Sequence, residues 1–327
     1  MDIYMKFLGV DFDYYFENYP NKDGFFGKYG GNMGDIKKEV SDELSSSYKE
    51  MLESKEFLAD FERMKRWRMG MPTPLVLISK LSNENVKIYG KLKRKNNFGV
   101  TPCLGQALLA KFTGKERIIA SAEDGVAAVM ASPISRIPCE VYVNPEISGK
   151  MFVLKLKVMG GTVIETDGDP KEEVLKAVNE DPEGTFLYLG SANSSHPYPT
   201  IIRDFSKNTG DETLKQYREL EGKDALPTAV ITSVGNGDGS VGFINGFTNI
   251  FTDIVAINPE TEIPELMFLN DLERIRFAEV SEEDALKAKA LIEGDEEIKT
   301  DLNGAYALAY AIKYAEKLEK GNIIVNL

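Results

Sequence analysis

The stretch best suited to chemistry is Val234-Gly-Asn-Gly-Asp-Gly-Ser240. Gly235, Gly237, Gly239 and Gly242 give it a flexible turn between a short β run and an apolar segment. A glycine-rich turn that enters a helix offers backbone N–H groups to a phosphate. Asp238 opposes that use. A carboxylate beside a dianionic phosphate costs on the order of 1–4 kcal/mol per charge pair at moderate dielectric. The stretch therefore reads as strand–turn–helix without a working anion site. A cation or hydroxyl ligand on Asp238 is the alternative.

Other candidates are few. His196 is the single histidine and the natural choice for proton transfer. With Pro197 and Pro199 beside it, it reads as a structural corner, and Arg203, Asp204 and Phe205 read as core or interface residues. Glu123 and Asp124 precede a helical stretch and read as N-terminal caps. Lys95 closes the basic run Lys91-Leu-Lys-Arg-Lys95, which reads as a solvated loop. We find no nucleophile–base pair of useful specificity and expect no metal site.

Alternating elements must position these residues. Short β runs are expected at Val86–Tyr89, Arg117–Ala120, Glu140–Val143, Thr162–Glu165, Thr185–Leu189, Ala229–Ser233 and Ile254–Ile257. Helices are expected over 35–66 (as a pair), Cys103–Phe112, Val126–Ser132, Lys150–Met159, Lys171–Asn179, Thr213–Glu219 and Gly304–Lys320. Thr101-Pro102 looks like a cap followed by proline at the first helical position. Alternation at this spacing predicts an α/β fold of mostly parallel sheets covered by helices.

Bulk properties narrow the function. At 327 residues the chain exceeds one average domain. A net charge of −13 repels phosphate backbones and anionic membranes, so neither nucleic acid nor membrane is an expected partner. Cys103 and Cys139 are the only cysteines and form no CxxC pair, which fits a reducing compartment. No apolar run approaches the roughly 20 residues of a bilayer span. Asp2, Lys6, Asp11 and Asp13 interrupt any signal-peptide core, so a cytoplasmic location is expected. Residues 1–26 are rich in Phe and Tyr and are expected to pack on the body or on a partner.

Several blocks together resemble the tryptophan synthase β subunit, a fold-type-II pyridoxal-phosphate family. Phe26-Gly-Lys-Tyr-Gly-Gly31, Met71-Pro-Thr-Pro-Leu75, Leu104-Gly-Gln-Ala-Leu-Leu-Ala-Lys111, Gly190-Ser191 and His196-Pro-Tyr-Pro-Thr-Ile-Ile-Arg-Asp-Phe205 follow the family's motifs in order. The resemblance implies a two-lobed fold. We expect an aromatic N-terminal arm at 1–26, a larger lobe of 27–80 and 185–327, and a smaller lobe of 81–184 that includes the family's communication-like region, with Lys155 and Lys157.

The same resemblance locates losses. The Schiff-base lysine position reads as Gly99, the preceding histidine as Phe98, and no lysine occurs between Lys95 and Lys111. The catalytic glutamate position reads as Ser121, in a substrate-carboxylate loop about three residues shorter than the family's. The phosphate cradle reads as Gly235, Asn236, Gly237, Asp238 and Gly239, with aspartate for the family's serine. The cation-region insertion after Ile257-Asn-Pro-Glu260 is reduced to a short connector. Asn303 stands where the family has glutamate. The serine-containing segment that bonds the pyridine nitrogen is expected after Val325-Asn-Leu327 and is not found.

These losses imply a non-catalytic, tryptophan synthase β-like protein (a pseudoenzyme) without pyridoxal phosphate. It would act by self-association or by joining an α-subunit-like or true β-subunit partner. One alternative is a protein binding an indole-like or aromatic ligand in the former cleft at Phe98, Gly99, Ser121 and Asp238. Another is a lyase with Lys95 as a displaced lysine.

Overall fold

The structure is a computed structural model that describes residue 15 and residues 18–92, 100–258, 261–292, 294 and 298–327. Lys95, Phe98, Gly99 and most of the aromatic arm lie outside the described residues. The chain divides into two compact units. Unit one comprises 1–29, 72–97 and 203–327, and unit two comprises 30–71 and 98–202. The expected lobe boundaries do not follow this division. Val86–Lys91 belongs to unit one because it pairs in that unit's sheet, and 30–71 belongs to unit two.

In chain order the strands are β1 (Phe25–Phe26), β2 (Tyr29–Gly30), β3 (Leu75–Leu77), β4 (Val86–Lys91), β5 (Arg117–Ser121), β6 (Cys139–Val143), β7 (Thr162–Glu165), β8 (Thr185–Leu187), β9 (Ala229–Ser233), β10 (Asp253–Ile257), β11 (Arg276–Ala278) and β12 (Gly321–Asn326). Unit one holds a six-stranded sheet in the order β11-β10-β9-β12-β4-β3. Its neighbours run parallel except β3, which is antiparallel to β4. The central strands carry buried apolar runs, Ala-Val-Ile in β9 and Ile-Val-Ala-Ile in β10. That is the composition required where both faces of a parallel sheet are covered. On one face, helix Leu302–Ala315 contributes Ala307, Leu308 and Ala311 to a core with Ile88, Ile231, Val255 and Ile323. Asp301 caps that helix, accepting from Gly304 N at 2.8 Å.

Unit two holds a four-stranded parallel sheet, β7-β6-β5-β8. Helix Pro170–Glu180 starts with proline at its first turn, and Asp169 accepts from Lys171 N at 2.8 Å, so cap and proline fix this entry. The expected β runs from 117 to 257 all appear, and the parallel α/β architecture holds. The sequence pattern missed β11, β12 and helices Tyr198–Ser206, Pro264–Asp271 and Glu282–Ile292, while helix Ser240–Asn245 follows the glycine turn as expected. Helix Val100–Phe112 begins one residue before the expected cap, and Asn208–Glu221 is longer than expected.

Helix Ser240–Asn245 and the Gly246 that follows it meet two neighbouring helices through glycine. A Cβ on Gly246 would lie 2.3 Å from Gly210 C, and one on Gly242 would lie 2.2 Å from Ser206 C. Both obstacles are main chain and cannot swing aside. Gly246→Ala is expected to destabilise the protein by about 2–3 kcal/mol through overpacking, as a lowered urea midpoint at unchanged slope.

Cys103 and Cys139 are buried in unit two, and burial pushes each thiol up to about 12. The folded state therefore retains protons that the unfolded chain releases near the ordinary thiol value of 9.0. This contribution is complete below that pH and is lost as pH rises towards about 12. Urea titrations across this alkaline range should show falling stability. The slope should be shallower in Cys103→Ala/Cys139→Ala, even if that variant is less stable at neutral pH.

Candidate functional site

The glycine-rich turn follows β9 at the carboxyl end of unit one's sheet, where parallel α/β folds usually bind ligands. Gly235 and Gly237 adopt φ of 54° and 85°, a region that glycine enters without steric penalty. The turn is closed on itself. Gly237 N donates to Val234 O at 3.1 Å, Ser240 Oγ to Val234 O at 2.7 Å, and Val241 N to Gly237 O at 3.2 Å. Asp238 N donates to Asn236 Oδ1 at 3.3 Å. These donors point into the turn's own acceptors instead of converging on an external anion. Asn303 lies beside the turn, its Nδ2 3.7 Å from where a Gly235 Cβ would be. Asn326 Nδ2 donates to Thr232 Oγ1 at 3.0 Å, a buried amide–hydroxyl bond between β12 and β9.

Lys91, at the same edge on β4, is 1% exposed. Its ammonium donates to Glu212 Oε1 at 2.5 Å, Thr73 O at 2.8 Å and Gln216 Oε1 at 2.9 Å. Burial lowers its pKa, while the Glu212 charge opposes that shift. Three acceptors for three N–H groups describe a bound ammonium ion, not a free nucleophile. Sequence reasoning missed this cluster. Its signal was present in Lys87-Ile-Tyr89-Gly-Lys91, three polar side chains on one strand face, against Glu212 and Gln216 one helical turn apart.

A second buried cluster lies in the same unit. Glu265 accepts from Tyr15 Oη at 3.2 Å and Asn245 Nδ2 at 3.1 Å, with Arg203 Nη1 at 3.7 Å. Burial raises the Glu265 pKa, and the Arg203 guanidinium opposes this most strongly. Arg203 also pairs with Asp204 at 2.7 Å and donates to Tyr19 O at 3.4 Å. The cluster anchors the described end of the aromatic arm, where Tyr15 stacks on Tyr19 and Phe268 and Tyr19 meets Phe268 at a tilt.

Ser121, the expected site of a lost glutamate, ends β5 in unit two and is buried. With Asn144, Ser148, Asp167 and Lys171 it lines a cavity of about 490 Å³ at the carboxyl ends of β5, β6 and β7. Asn144 holds the cavity wall through Asp167 O at 3.2 Å and Gly168 O at 3.4 Å. Glu123 is an ion-pair partner of Lys171 at 2.9 Å, not the expected cap. Asp124 occupies the N-cap position of helix Gly125–Ser135 without a side-chain capping bond. A Cβ on Gly190 would meet its Oδ1 at 2.5 Å, so this carboxylate packs against Gly190. Ser121 and Asp238 belong to different units.

His196 contributes its main chain to a corner. Its N–H donates to Gly31 O at 3.1 Å, and Ser41 Oγ donates to its carbonyl at 2.6 Å. Among the described residues, no group of three His, Cys, Asp or Glu side chains could hold a metal, and no helix is long and apolar enough to cross a membrane.

The parallel sheets, with a glycine turn and a cavity at their carboxyl edges, agree with comparison to known proteins. The family profile described as pyridoxal-phosphate dependent enzyme matches residues 67–270, and the chain belongs to this family. It is 28% identical to a tryptophan synthase beta chain of Clostridium botulinum (strain Eklund 17B / Type B) and 27% identical to that of strain Alaska E43 / Type E3. Each comparison covers 97% of this chain and 94% of the relative. Tryptophan synthase beta chain 1 of Wolinella succinogenes is 25% identical over 96% of this chain and 94% of its own length. The Clostridium alignments run over 391 positions against 327 residues here, so those relatives carry segments that this chain lacks.

Lys91→Met should cost about 3–5 kcal/mol by leaving Glu212 without its cation. Adding Glu212→Gln keeps an acceptor for Thr73 N while removing the stranded charge, so the double variant should recover most of the loss. Urea denaturation of both singles and the double gives the cycle.

Proposed function

We propose that the chain is a non-catalytic relative of tryptophan synthase beta chains that acts by subunit association. The observation that carries this reading is the apolar face of helix Lys150–Val158. Met151, Leu154 and Val158 recur at three- and four-residue spacing and are 77%, 52% and 79% exposed. Ile147 in the preceding turn is 79% exposed. Large apolar groups clustered on a surface mark interaction sites. Lys150, Lys155 and Lys157 on the same helix are also exposed and favour an acidic rim on the partner. An α-subunit-like chain, a true β chain or a second copy are the partners that the resemblance suggests.

Catalytic silence is part of the same proposal. Pyridoxal phosphate supplies an electron sink when a lysine amine holds it. The residues present do not fit that group. The lysine position reads as glycine, and Lys91 is fully engaged. The N–H groups of Gly237, Asp238 and Val241 and the Ser240 hydroxyl close on Val234, Asn236 and Gly237, with the Asp238 carboxylate on the same turn. A second reading, binding of an aromatic ligand, draws on the cavity beside Ser121. Thermal-shift screening with indole and its relatives tests it.

Native mass spectrometry of the chain, alone and mixed with tryptophan synthase α and β chains, should find a complex. Met151→Lys/Val158→Lys should abolish that complex and leave the melting temperature unchanged, because neither side chain is buried. A strict monomer with affinity for neither chain would sink the association reading. Borohydride treatment after addition of one equivalent of pyridoxal phosphate should leave no stoichiometric adduct at a single lysine, only scattered surface labelling. Such a stoichiometric adduct, mapped by peptide sequencing, would overturn the silence.

A further inference from the structure

The cavity of unit two, about 490 Å³ at the carboxyl ends of β5, β6 and β7, has a volume that suits a small organic ligand. Its walls are held by their own bonds. Asp124 N donates to Ser121 O at 3.1 Å and Gly125 N to Ala122 O at 3.3 Å, which closes the turn after β5. Asn144 uses both ends of its amide, donating to Asp167 O and Gly168 O and accepting from Glu146 N at 3.1 Å.

Two hydroxyls in the lining are left over. Ser121 is 4% exposed, and its hydroxyl has no hydrogen-bond partner among the described residues. Unlike the sealed hydroxyls of Thr200 and Thr252, it keeps contact with open space, and the space it lines is this cavity. Ser148, half-buried just before helix Lys150–Val158, also has a hydroxyl without a partner among the described residues. A hydroxyl in such a place is satisfied by water or by a ligand.

Charge and shape narrow the ligand. Lys171 is the one cation in the lining, and it pairs with Glu123 at 2.9 Å. Asp167 and Asp169 also line the cavity. The Asp169 carboxylate accepts from Lys171 N, and that of Asp167 has no partner among the described residues. An anion would therefore meet uncompensated negative charge. The lining contains no aromatic ring, and its apolar members are Ala122, Ile147 and Pro170. A flat apolar ligand has nothing to stack on.

We propose that this cavity binds a neutral polyhydroxylated molecule of monosaccharide size. The Ser121 and Ser148 hydroxyls exchange hydrogen bonds with ligand hydroxyls, and the Asp167 carboxylate accepts from others. A ligand hydroxyl both donates and accepts, so it matches serine and carboxylate alike. The proposal rests on the same cavity as the aromatic-ligand reading and gives it a different occupant. It does not require the association reading, although Ile147 belongs to both surfaces.

Saturation-transfer NMR and calorimetric titration of the full chain test it, with D-glucose as probe and glucuronate and indole as controls. Thermal shift is a poor reporter here, because polyols stabilise proteins by exclusion. Glucose should bind, and glucuronate should bind more weakly. Ser121→Ala should weaken glucose about fivefold, the worth of one hydrogen bond. The same change should not lower the unliganded melting temperature, because the hydroxyl it removes bonds nothing. Ser148→Ala should weaken glucose by a similar factor, and at a half-buried position it carries the test if the Ser121 variant fails to fold. Absence of glucose binding at millimolar concentration overturns the assignment. So does glucuronate binding of equal strength, or undiminished glucose binding by the folded variants. Indole binding without glucose binding overturns it in favour of the aromatic-ligand reading, and glucose binding without indole does the reverse.

Discussion

Unit one is closed by a strand from the far end of the sequence. β12 occupies the slot between β9 and β4, in register Ile324 with Val230 on one side and Ile323 with Ile88 on the other. Without it the sheet separates into β11-β10-β9 and β4-β3, each with a newly unpaired edge. A strand in that slot must bury both faces and satisfy both rows of main-chain groups. Asn-Ile-Ile-Val-Asn meets the demand with β-branched residues, and its second asparagine turns to Thr232. The pairing continues past the strand, where Leu327 N donates to Lys91 O at 2.9 Å. Leu327 packs over Gly90, and a Cβ there would come within 2.7 Å of its Cδ1.

The same strands explain where the polar groups went. β4 turns Lys87, Tyr89 and Lys91 towards helix Asn208–Glu221. Glu221 receives the first two and Glu212 the third. The acceptor hydrogen bonds from Lys87 and Tyr89 hold the Glu221 carboxyl below its usual range. Glu265 shows the opposite response to deeper burial, held above the usual range despite Arg203. These ionisable groups are matched to each other across elements. Taking one away leaves a buried charge, which costs more than the pair contributes.

The legibility of the fold divides along physical lines. β9 and β10 were readable because a parallel strand covered on both faces is largely an unbroken apolar run, β6 because buried and half-exposed residues alternate along it, and the helices between carry caps and charged faces. β12 was not read as a strand. Asn-Ile-Ile-Val-Asn is short, and only its partners, about ninety and more than two hundred residues earlier, make it one. Helix Ser240–Asn245 was legible only as the continuation of the glycine turn, because Ser-Val-Gly-Phe-Ile-Asn is buried throughout and carries no amphipathic period. At the candidate site, the glycine turn was legible from its spacing. The use of its donors was not, because Asn236 and Ser240 act through side-chain bonds that spacing does not encode. Glu123 was misread for a similar reason. Its partner Lys171 is remote in sequence, and a local rule sees only the helix start beside it.

The proposed association surface can be weighed by area. Covering Ile147, Met151, Leu154 and Val158 would contribute roughly 1.5–3 kcal/mol each, about 6–12 kcal/mol together. Immobilising two proteins costs about 4–15 kcal/mol. The two ranges overlap, so the stripe alone gives at best a marginal complex. A stable one requires further contacts, and Lys150, Lys155 and Lys157 are placed to make them with an acidic rim. Steering by those lysines would also offset the repulsion between two surfaces of strong negative charge, which weighs against a second copy unless its acidic face meets this helix. An acidic partner with its own apolar strip therefore satisfies both terms better than a symmetric pair in which like faces meet.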